Sequence, residues 1–351
     1  MGELQLDGTK LGYHPGLLQK WKEGQTIYPL LVEISPTNQC NHGCTFCAYE
    51  YLNRKPGFFL EYDHVVRCIG ELSALGTKSL FYSGEGEPLL YKKLEDLVEY
   101  SARKGFDQAL NTNGVLLRDR RMERLLPHMS WIRVSLNAGT REDYAAIHRT
   151  APKDFDTVLS NLEKAVQYKT ARKLRVTLGV QLVYLDQSVG SIHGLAKQLK
   201  NIGVDYFTVK RFNQHPAASP HACDLRALAD IEKIAELNDD TFSARTRFNL
   251  RQNSVRRTYT QCLALPFFAE IISNGDVYSC GPYLGYPDFC YGNIYQSDFK
   301  TLWQPDNRKK VTDKLRVIQN LDKACMPSCR LDAANRFLWE LANPPQHINF
   351  I

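Results

Sequence analysis

From residue 29 to about residue 212, segments with strand-like and helix-like patterns alternate along the chain. Six segments are strand-like, and they cover 29–35, 78–84, 107–114, 131–137, 173–184 and 205–212. Helical patterns such as 61–76 and 91–105 lie between them. Because parallel neighbours need crossover connections, usually helices, this alternation predicts a parallel sheet. Ligands in such a fold gather at the carboxyl ends of the strands.

Composition limits the class of protein. The chain has 351 residues, of which 43% are hydrophobic and 23% charged, as in globular proteins that bury a core. It has no apolar run of about 18 residues, and its N-terminus lacks the layout of a signal peptide. We therefore expect a cytoplasmic protein without a membrane segment. The net charge of +6 comes from scattered residues, which favours solvated helix faces over nucleic-acid binding.

The alternating pattern ends near residue 213. Farther on, "FFAEIISNGDVYSC" predicts a β-hairpin with its turn at Asn274–Gly275, and "AANRFLWELAN" predicts a closing helix. These changes predict four parts. They are an N-terminal extension (1–28), a barrel domain (29–215), a linker or bridging region (216–258) and a small C-terminal α+β domain of hairpin plus helix (259–351).

Three cysteines, Cys40, Cys44 and Cys47, lie within the eight residues "CNHGCTFC" after the first strand. In a reducing compartment clustered cysteines are more often metal ligands than disulfides. A closed zinc site needs a fourth ligand, and His42 would strain the tight loop if it served. An iron–sulfur cubane on three thiolates instead leaves one iron open to a further ligand.

The spacing Cys-x3-Cys-x2-Cys after the first strand, with Phe46 before the third cysteine, resembles the signature of the radical S-adenosylmethionine enzymes. The resemblance implies a partial (β/α)6 TIM-type barrel and a [4Fe–4S] cluster whose open iron binds S-adenosylmethionine. It also implies one-electron cleavage to a 5′-deoxyadenosyl radical, which abstracts a hydrogen atom from substrate. A flavodoxin- or ferredoxin-type electron donor is the implied partner.

Further segments match the family in order. "GEGEP" (84–88) resembles the Gly-Gly-Glu-Pro segment that holds the methionine amino group, with Glu85 as a departure. Glycine permits close backbone approach, and the Glu87 carboxylate can accept from an ammonium group. "NTNG" and "VSLN" end the third and fourth strands in the family's manner. The cofactor-binding residues that the resemblance implies are Phe46, Gly84, Gly86, Glu87, Pro88, Asn113, Ser135, Asn137 and Gln181. Lys210 or Arg211, on the last strand, is a further candidate without an assigned role.

A second set of cysteines lies in the C-terminal part. Cys262 precedes the hairpin, and Cys280 follows Gly275 by five residues, which resembles the Cys-x9–15-Gly-x4-Cys element of SPASM and twitch extensions. Cys325 and Cys329 in "CMPSC" would complete the ligands of a second, auxiliary [4Fe–4S] cluster. The shorter twitch form is favoured because few cysteines remain, and a zinc site on the same four thiolates is the alternative.

Three cysteines remain. Cys68 lies on the apolar face of a predicted helix and is expected in the core. Cys223, after the last barrel strand, is the first candidate for a thiol that returns a hydrogen atom to a substrate radical. Cys290 is the second candidate, or alternatively a further cluster ligand.

The favoured function is abstraction of a hydrogen atom from a small polar substrate (a sugar, nucleotide sugar or aminocyclitol) that gives dehydrogenation or epimerisation. The alternative is a maturase that modifies a ribosomally made peptide. About 28 residues precede the first strand, too few for the winged-helix peptide-recognition domain of many such maturases. An activase acting on a partner protein and a non-catalytic iron–sulfur sensor or scaffold remain open. Cleavage of S-adenosylmethionine by the reduced protein would distinguish an enzyme from a sensor.

Overall fold

A computed structural model of the protein describes residues 9–52, 55–212, 231, 233–247, 257–316, 321, 325–326 and 329–350. Its strands are β1 (Leu31–Ile34), β2 (Ser79–Tyr82), β3 (Asp107–Thr112), β4 (Trp131–Ser135), β5 (Thr177–Tyr184), β6 (Tyr206–Arg211), β7 (Ser243–Arg247), β8 (Phe268–Ile271), β9 (Asp276–Tyr278) and β10 (Gly292–Asn293). Its α-helices are α1 (Pro15–Lys22), α2 (Tyr62–Ala74), α3 (Leu94–Arg103), α4 (Asp119–Leu125), α5 (Arg141–His148), α6 (Lys153–Ala171), α7 (Ile192–Ile202), α8 (Phe299–Leu302), α9 (Pro305–Arg316) and α10 (Asp332–Ala342).

One continuous sheet contains all the described strands, in the order β10-β9-β8-β1-β2-β3-β4-β5-β6-β7. Strands β1 to β7 pair in parallel, each with the next. Helices α2 to α7 supply the crossovers between β1 and β6, as parallel pairing requires. The α/β fold with a partial TIM-type barrel is therefore confirmed.

The C-terminal hairpin belongs to the same sheet. Strand β8 pairs in parallel with β1, on the side opposite β2, and β9 returns antiparallel to β8. Gly275 adopts a φ of +89° at the hairpin turn, a conformation that glycine reaches without steric cost, so the predicted turn is confirmed. The first barrel strand thus lies beside the element that carries the second set of cysteines.

The two faces of the barrel sheet differ in chemistry. Val32 and Ile34 of β1 lie in the core beneath the helices, as do Phe207 and Val209 of β6. Since side chains alternate along a strand, Glu33, Tyr206 and Thr208 belong to the opposite face, which we call the inner face. The inner face is where polar and charged side chains of the barrel collect.

One strand was not predicted. Strand β7 lies inside residues 216–258, which the sequence predicted to be a linker, so the sheet has seven parallel strands in a row from β1 and not six. Its sequence, "SARTR", has a single apolar residue, Ala244, and therefore lacks the alternation that identifies a half-buried strand. The segment is a strand because its backbone pairs with β6, which its own sequence does not indicate.

Two of the remaining cysteines and the expected lack of a membrane segment can be compared with the structure. Cys68 is 1% exposed in the core beneath α2, as predicted. Cys223 lies outside the described residues. Among the described helices, none combines the length and the apolar character that crossing a bilayer requires.

Candidate functional site

The loop that carries Cys40, Cys44 and Cys47 follows β1 and is attached to the end of α5. The backbone N–H of Gly43 donates to the carbonyl of His148 (3.0 Å), and that of Thr45 donates to the carbonyl of Ile147 (2.9 Å). The last carbonyls of a helix lack partners within the helix, so the loop satisfies them. None of the three cysteines forms a disulfide, and all three are partly exposed near the carboxyl end of β1.

Two buried imidazoles belong to this region, that of His42 within the loop and that of His148 at the end of α5. Nδ1 of His148 is 3.3 Å from Cys44 Sγ, and Nε2 of His42 is 3.6 Å from a carboxylate oxygen of Asp154. Burial, and secondly the neighbouring His42 ring, lowers the pKa of His148 to about 3. His148 is therefore neutral at physiological pH.

The "GEGEP" segment packs against the chain that leads into the cysteine loop. A Cβ on Gly86 would lie 2.3 Å from the Gln39 carbonyl oxygen, and one on Gly84 would lie 2.6 Å from Ser35 Cβ. The backbone N–H of Glu87 also donates to the Gln39 carbonyl (2.9 Å). These glycines thus allow the loop after β2 to pack closely against the loop after β1.

Glu87 is 2% exposed, and three hydrogen bonds hold its carboxylate. Thr112 donates from its hydroxyl (2.6 Å), and Asn113 and Leu89 donate from their backbone N–H groups (2.7 and 3.1 Å). Burial raises the pKa of Glu87, and the bond from Asn113 is the largest of the opposing effects. The carboxylate ties the end of β3 to the "GEGEP" segment, in which Pro88 is also buried.

Asn113 and Asn137 are also engaged with the protein. Nδ2 of Asn113 donates to Oδ1 of Asn41, inside the cysteine loop (2.7 Å). Nδ2 of Asn137 lies 3.0 Å from Ser135 Oγ and 3.2 Å from His148 Nε2, while its Oδ1 accepts from the Val183 N–H (2.6 Å). These amides position the cysteine loop and its histidine.

Ser135 and Gln181 occupy one row of the inner face, and the row continues beyond them. Cα register pairs Ser135 with Gln181, Gln181 with Thr208, and Thr208 with Arg245. Sequence reasoning missed the last two residues. The alternation of β6 places Thr208 on the same face as Lys210 and was the available signal for Thr208, whereas β7 gave none for Arg245.

A layer of aromatic and cationic groups fills the barrel interior. The rings of Phe81 and Trp131 are 5.0 Å apart, and the Arg133 guanidinium lies 5.3 Å from the Trp131 ring. Burial lowers the pKa of Arg133. A Cβ on Gly179 would lie 2.0 Å from the Tyr206 ring, so glycine is required for that ring to cross β5.

The second cysteine set comes together through tertiary structure. Burial raises the pKa of Cys262 to about 11, and the pKa of Cys280 is raised by burial and then by Cys262 and Cys325. The Cys325 and Cys329 thiols are hydrogen-bonded, and this bond lowers the pKa of Cys325 and raises that of Cys329. Each of the four predicted thiols therefore interacts with at least one other of the set.

Neighbouring side chains hold this set in place. Arg257 donates to the carbonyls of Leu321 and Met326 (both 2.9 Å) and so holds the chain on either side of Cys325. Nδ2 of Asn335, on α10, donates to Cys262 Sγ (3.3 Å). The closing helix thus buttresses the second site.

Both cysteine sets fit iron–sulfur clusters better than zinc. A tetrahedral zinc site places its thiolates roughly 3.8 Å apart, whereas a cubane spreads them over separate irons. In the described part of the chain, one group of three or more His, Cys, Asp or Glu has all its ligand atoms within 4.8 Å, namely His42, Cys44 and His148. Neither the three-cysteine set nor the four-cysteine set is that compact.

Cys290 packs against a different hydrophobic cluster from the one that Cys262 and Cys280 contact. Its Sγ donates to the Gly292 carbonyl (3.4 Å), and its side chain packs in an apolar cluster with Tyr278 and Leu284. Of the two predicted hydrogen donors it is the one whose position is described.

Two carboxylates meet beside the cysteine loop. Oε2 of Glu85 accepts from the Ser273 N–H (2.8 Å), and Glu270 on β8 is buried, with Oε1 lacking a hydrogen-bond partner. Burial, and then repulsion from Glu85, raises the pKa of Glu270 to about 8.

Glu85 also lines a cavity of about 350 Å³. The lining residues are Asn38, Tyr51, Leu52, Phe58, Glu85, Ile272, Ser273, Asn274, Leu284, Gly285 and Tyr286.

Relatives in sequence include probable GTP 3′,8-cyclases. That of Methanococcus maripaludis is 24% identical over 230 residues, which are 65% of this chain and 73% of that protein. That of Methanopyrus kandleri is 29% identical over 227 residues, 62% of this chain and 69% of that protein.

Solved structures share the fold. Streptococcus suis SuiB bound to S-adenosylmethionine has a TM-score of 0.65 at 19% identity, covering 87% of this chain and 71% of that one. Native anSMEcpe with bound AdoMet has a TM-score of 0.59 at 18% identity, and the match covers 82% of this chain and 84% of that one.

The family models agree with the two cysteine sites. The radical SAM superfamily matches residues 34–186, and the SPASM iron–sulfur cluster-binding domain matches residues 262–331, together more than half of the chain. The cofactors are therefore a [4Fe–4S] cluster that binds S-adenosylmethionine, an auxiliary cluster and S-adenosylmethionine itself. Residues Cys40, Cys44 and Cys47 fit the first cluster, and Cys262, Cys280, Cys325 and Cys329 fit the second. The chain belongs to the radical S-adenosylmethionine superfamily and carries a C-terminal SPASM-type iron–sulfur domain.

Proposed function

We propose that the protein abstracts a hydrogen atom from a small polar substrate, a sugar, nucleotide sugar or aminocyclitol, and dehydrogenates or epimerises it. The cavity beside the cysteine loop carries this proposal. Its volume of about 350 Å³ suits a small molecule, and Asn38, Tyr51, Glu85 and Ser273 give it polar walls. When bound, the first cluster and S-adenosylmethionine supply the hydrogen-abstracting radical.

The names of the sequence relatives support a nucleotide-like substrate over a peptide. The probable GTP 3′,8-cyclases are named for a nucleotide. SuiB is described with the precursor peptide SuiA, but at 19% identity that likeness extends to the fold alone. Peptide modification remains the second candidate and is an outcome of the test below.

Glu270 and Glu85 are the proposed proton-handling pair. A carboxyl with a pKa of about 8 is largely protonated at neutral pH, so Glu270 can donate a hydrogen bond to a substrate, while Glu85 already accepts one from the Ser273 N–H. A substrate hydroxyl between them can pass its proton to Glu85 as its carbon is oxidised, and the auxiliary cluster, when bound, would accept the electron that this carbon loses. Dehydrogenation needs this proton transfer, whereas epimerisation needs a hydrogen donor.

Cys290 is the proposed hydrogen donor for the epimerisation route. It shares an apolar cluster with Leu52, Ile272 and Leu284, three residues that also line the cavity, so its thiol lies behind the cavity wall. Cys223 stays the first sequence-based candidate for the same role.

The test is an anaerobic assay of the reconstituted, dithionite-reduced protein in deuterated water. Nucleotide sugars, sugar phosphates, aminocyclitols and short peptides are supplied separately, and 5′-deoxyadenosine is measured by chromatography. The proposal expects stimulation by one of the small polar compounds. Product mass then distinguishes the routes, since dehydrogenation removes two hydrogens and epimerisation introduces deuterium at the abstracted carbon. Stimulation by peptides alone would establish the second candidate, and no 5′-deoxyadenosine with any compound would contradict the enzyme class.

If epimerisation occurs, Cys290→Ala and Cys223→Ala identify the donor. The variant that lacks the donor should still form 5′-deoxyadenosine but lose deuterium incorporation. Unchanged deuterium in both variants would exclude these thiols.

A further inference from the structure

The polar row on the inner face ends in two groups that lack partners within the described part of the chain. Thr208 is 2% exposed and its Oγ1 has no hydrogen-bond partner, and the buried Nε of Arg245 likewise has none. Buried polar groups are almost always hydrogen-bonded, because an unmade bond costs the full desolvation of the group. The two residues are neighbours in register, so one ligand can satisfy both.

The surroundings of this pair are cationic. Strands β5, β6 and β7 contain neither Asp nor Glu, and β6 and β7 carry Lys210 and Arg245 on their inner face. The inner-face acids Glu33 and Glu270 lie on β1 and β8, across the barrel. A guanidinium and a hydroxyl together suit a planar or tetrahedral anion.

We propose that Thr208 and Arg245 bind an anionic group of the substrate, a carboxylate or a phosphate. This proposal rests on the proposed function and names the substrate class more narrowly. Neighbouring strands are about 4.8 Å apart, so Arg245 lies roughly 10 Å across the sheet from Gln181. A group of sugar-phosphate length spans that distance, so an anion held at β7 lies within reach of the row that Gln181 occupies, outside the lining of the cavity beside the cysteine loop.

Calorimetric titration of the reconstituted holoenzyme with S-adenosylmethionine present, so that the cofactor site is filled, tests this site. Inorganic phosphate and acetate are titrated separately at constant ionic strength, and the tighter anion identifies the group. We expect binding of one anion per chain, about tenfold weaker in Arg245→Gln and several-fold weaker in Thr208→Val. The exposed Arg120 gives a control, and Arg120→Gln should bind as the wild type does.

Thr208→Val is nearly isosteric and keeps the test valid if Arg245→Gln fails to fold. Equal affinity in the wild type and in both inner-face variants, or no saturable binding of either anion, would overturn the proposal. Substrate-free 5′-deoxyadenosine formation is measured in parallel. Its presence in the wild type separates failure of the anion site from failure of the enzyme class.

A second inference concerns the imidazole beside the first cysteine site. The backbone N–H and the Nδ2 group of Asn137 both face Nε2 of His148, at 3.4 and 3.2 Å. Two donors at Nε2 make that nitrogen the acceptor, so the proton of the neutral ring resides on Nδ1. Nδ1 in turn lies 3.3 Å from Cys44 Sγ.

We infer that His148 donates a hydrogen bond from Nδ1 to the Cys44 sulfur and thereby raises the reduction potential of the first cluster. A donor at a ligand sulfur stabilises negative charge, and the reduced cluster carries more of it. His148 is then a positioning residue that acts through Cys44. A separate metal ion on His42, Cys44 and His148 is the competing use of the same atoms.

The geometry allows a clean variant. The backbone carbonyl of His148, and not its ring, anchors Gly43, so His148→Leu removes the donor and leaves the loop attached. Tyr144 stacks on the His148 ring at 4.2 Å, and its hydroxyl has no partner in the described part of the chain. Tyr144→Phe therefore preserves the packing and the sulfur bond and is the matched control.

Potentiometric titration followed by electron paramagnetic resonance gives the potential of the cluster whose signal responds to S-adenosylmethionine. We expect a more negative potential in His148→Leu, the wild-type value in Tyr144→Phe and partial recovery in His148→Gln, whose amide can also donate. An unchanged or more positive potential in His148→Leu would overturn the inference. One zinc per chain in the wild type, lost in His148→Leu, would instead indicate the competing metal site.

Discussion

The first cysteine site takes its three thiols from eight consecutive residues, whereas the second takes four thiols from three separate stretches of the chain. The first loop is held by neighbours from α5 and from the segments after β2 and β3. The second depends on the pairing of β8 with β1, on Arg257 and on α10. The three thiols of the first site are thus brought together by one short loop, whereas the four thiols of the second site come together only when the chain folds.

The difference implies different roles in stability. Ligands that come from distant segments cross-link the chain when a cluster binds them, so binding adds to folding free energy. Ligands inside one short loop close almost no chain and add little. We therefore expect the first site to control activity and the second to stabilise the C-terminal part.

The largest effect is expected for the joint change Cys40→Ala, Cys44→Ala and Cys47→Ala. Formation of 5′-deoxyadenosine should fall below detection, because these thiols hold the cluster that binds the cofactor. About four irons per chain should remain on the second site, measured by iron analysis after anaerobic reconstitution. Cys68→Ala, in the core, is the control and should keep both the iron content and the activity. Loss of all iron from the triple variant would mean that the two sites are not independent.

Arg330→Met tests the link between the two sites. Arg330 follows Cys329 and forms an ion pair with Glu33, which is 0% exposed on β1. Removing the cation leaves a buried carboxylate without its counter-ion, which should cost about 3 kcal/mol of unfolding free energy in chemical denaturation. Addition of Glu33→Gln should recover most of that loss. A change below about 0.5 kcal/mol would show that the pair does not join the sites.

Glu270→Gln should have a smaller effect that depends on pH. Its folded-state pKa of about 8 lies above the ordinary value of 4.5, so between these pH values the folded protein holds a proton that the unfolded chain has lost. Stability from this group is complete below about pH 4.5 and declines as pH rises toward 8. The variant should therefore gain about 2.5 kcal/mol relative to the wild type between pH 5 and pH 7. A pH-independent difference would contradict the raised pKa.

Much of the barrel could be predicted because its information is local. The six predicted strands and the helices between them reflect apolar periodicity, and the three-cysteine spacing lies within one loop. Strand β7 was missed because four of the five residues in "SARTR" are polar. The parallel pairing of β8 with β1 joins residues more than 230 positions apart, which no local pattern records.

In the candidate site too, contacts between residues far apart in the sequence could not be predicted. Glu87 was expected to meet a ligand, and the structure adds three hydrogen bonds from its own chain. His148 is 104 residues from Cys44, and its proximity to the sulfur follows from the docking of the loop on α5. Arg245 was missed along with its strand.

The central claim is that S-adenosylmethionine binds the three-cysteine site and not the four-cysteine site. Electron paramagnetic resonance of the dithionite-reduced wild type and of the triple alanine variant, each with and without S-adenosylmethionine, tests it directly. The account predicts that the cofactor alters the wild-type spectrum and leaves the variant's remaining cluster signal unchanged. A cofactor-dependent change in the triple variant would contradict it.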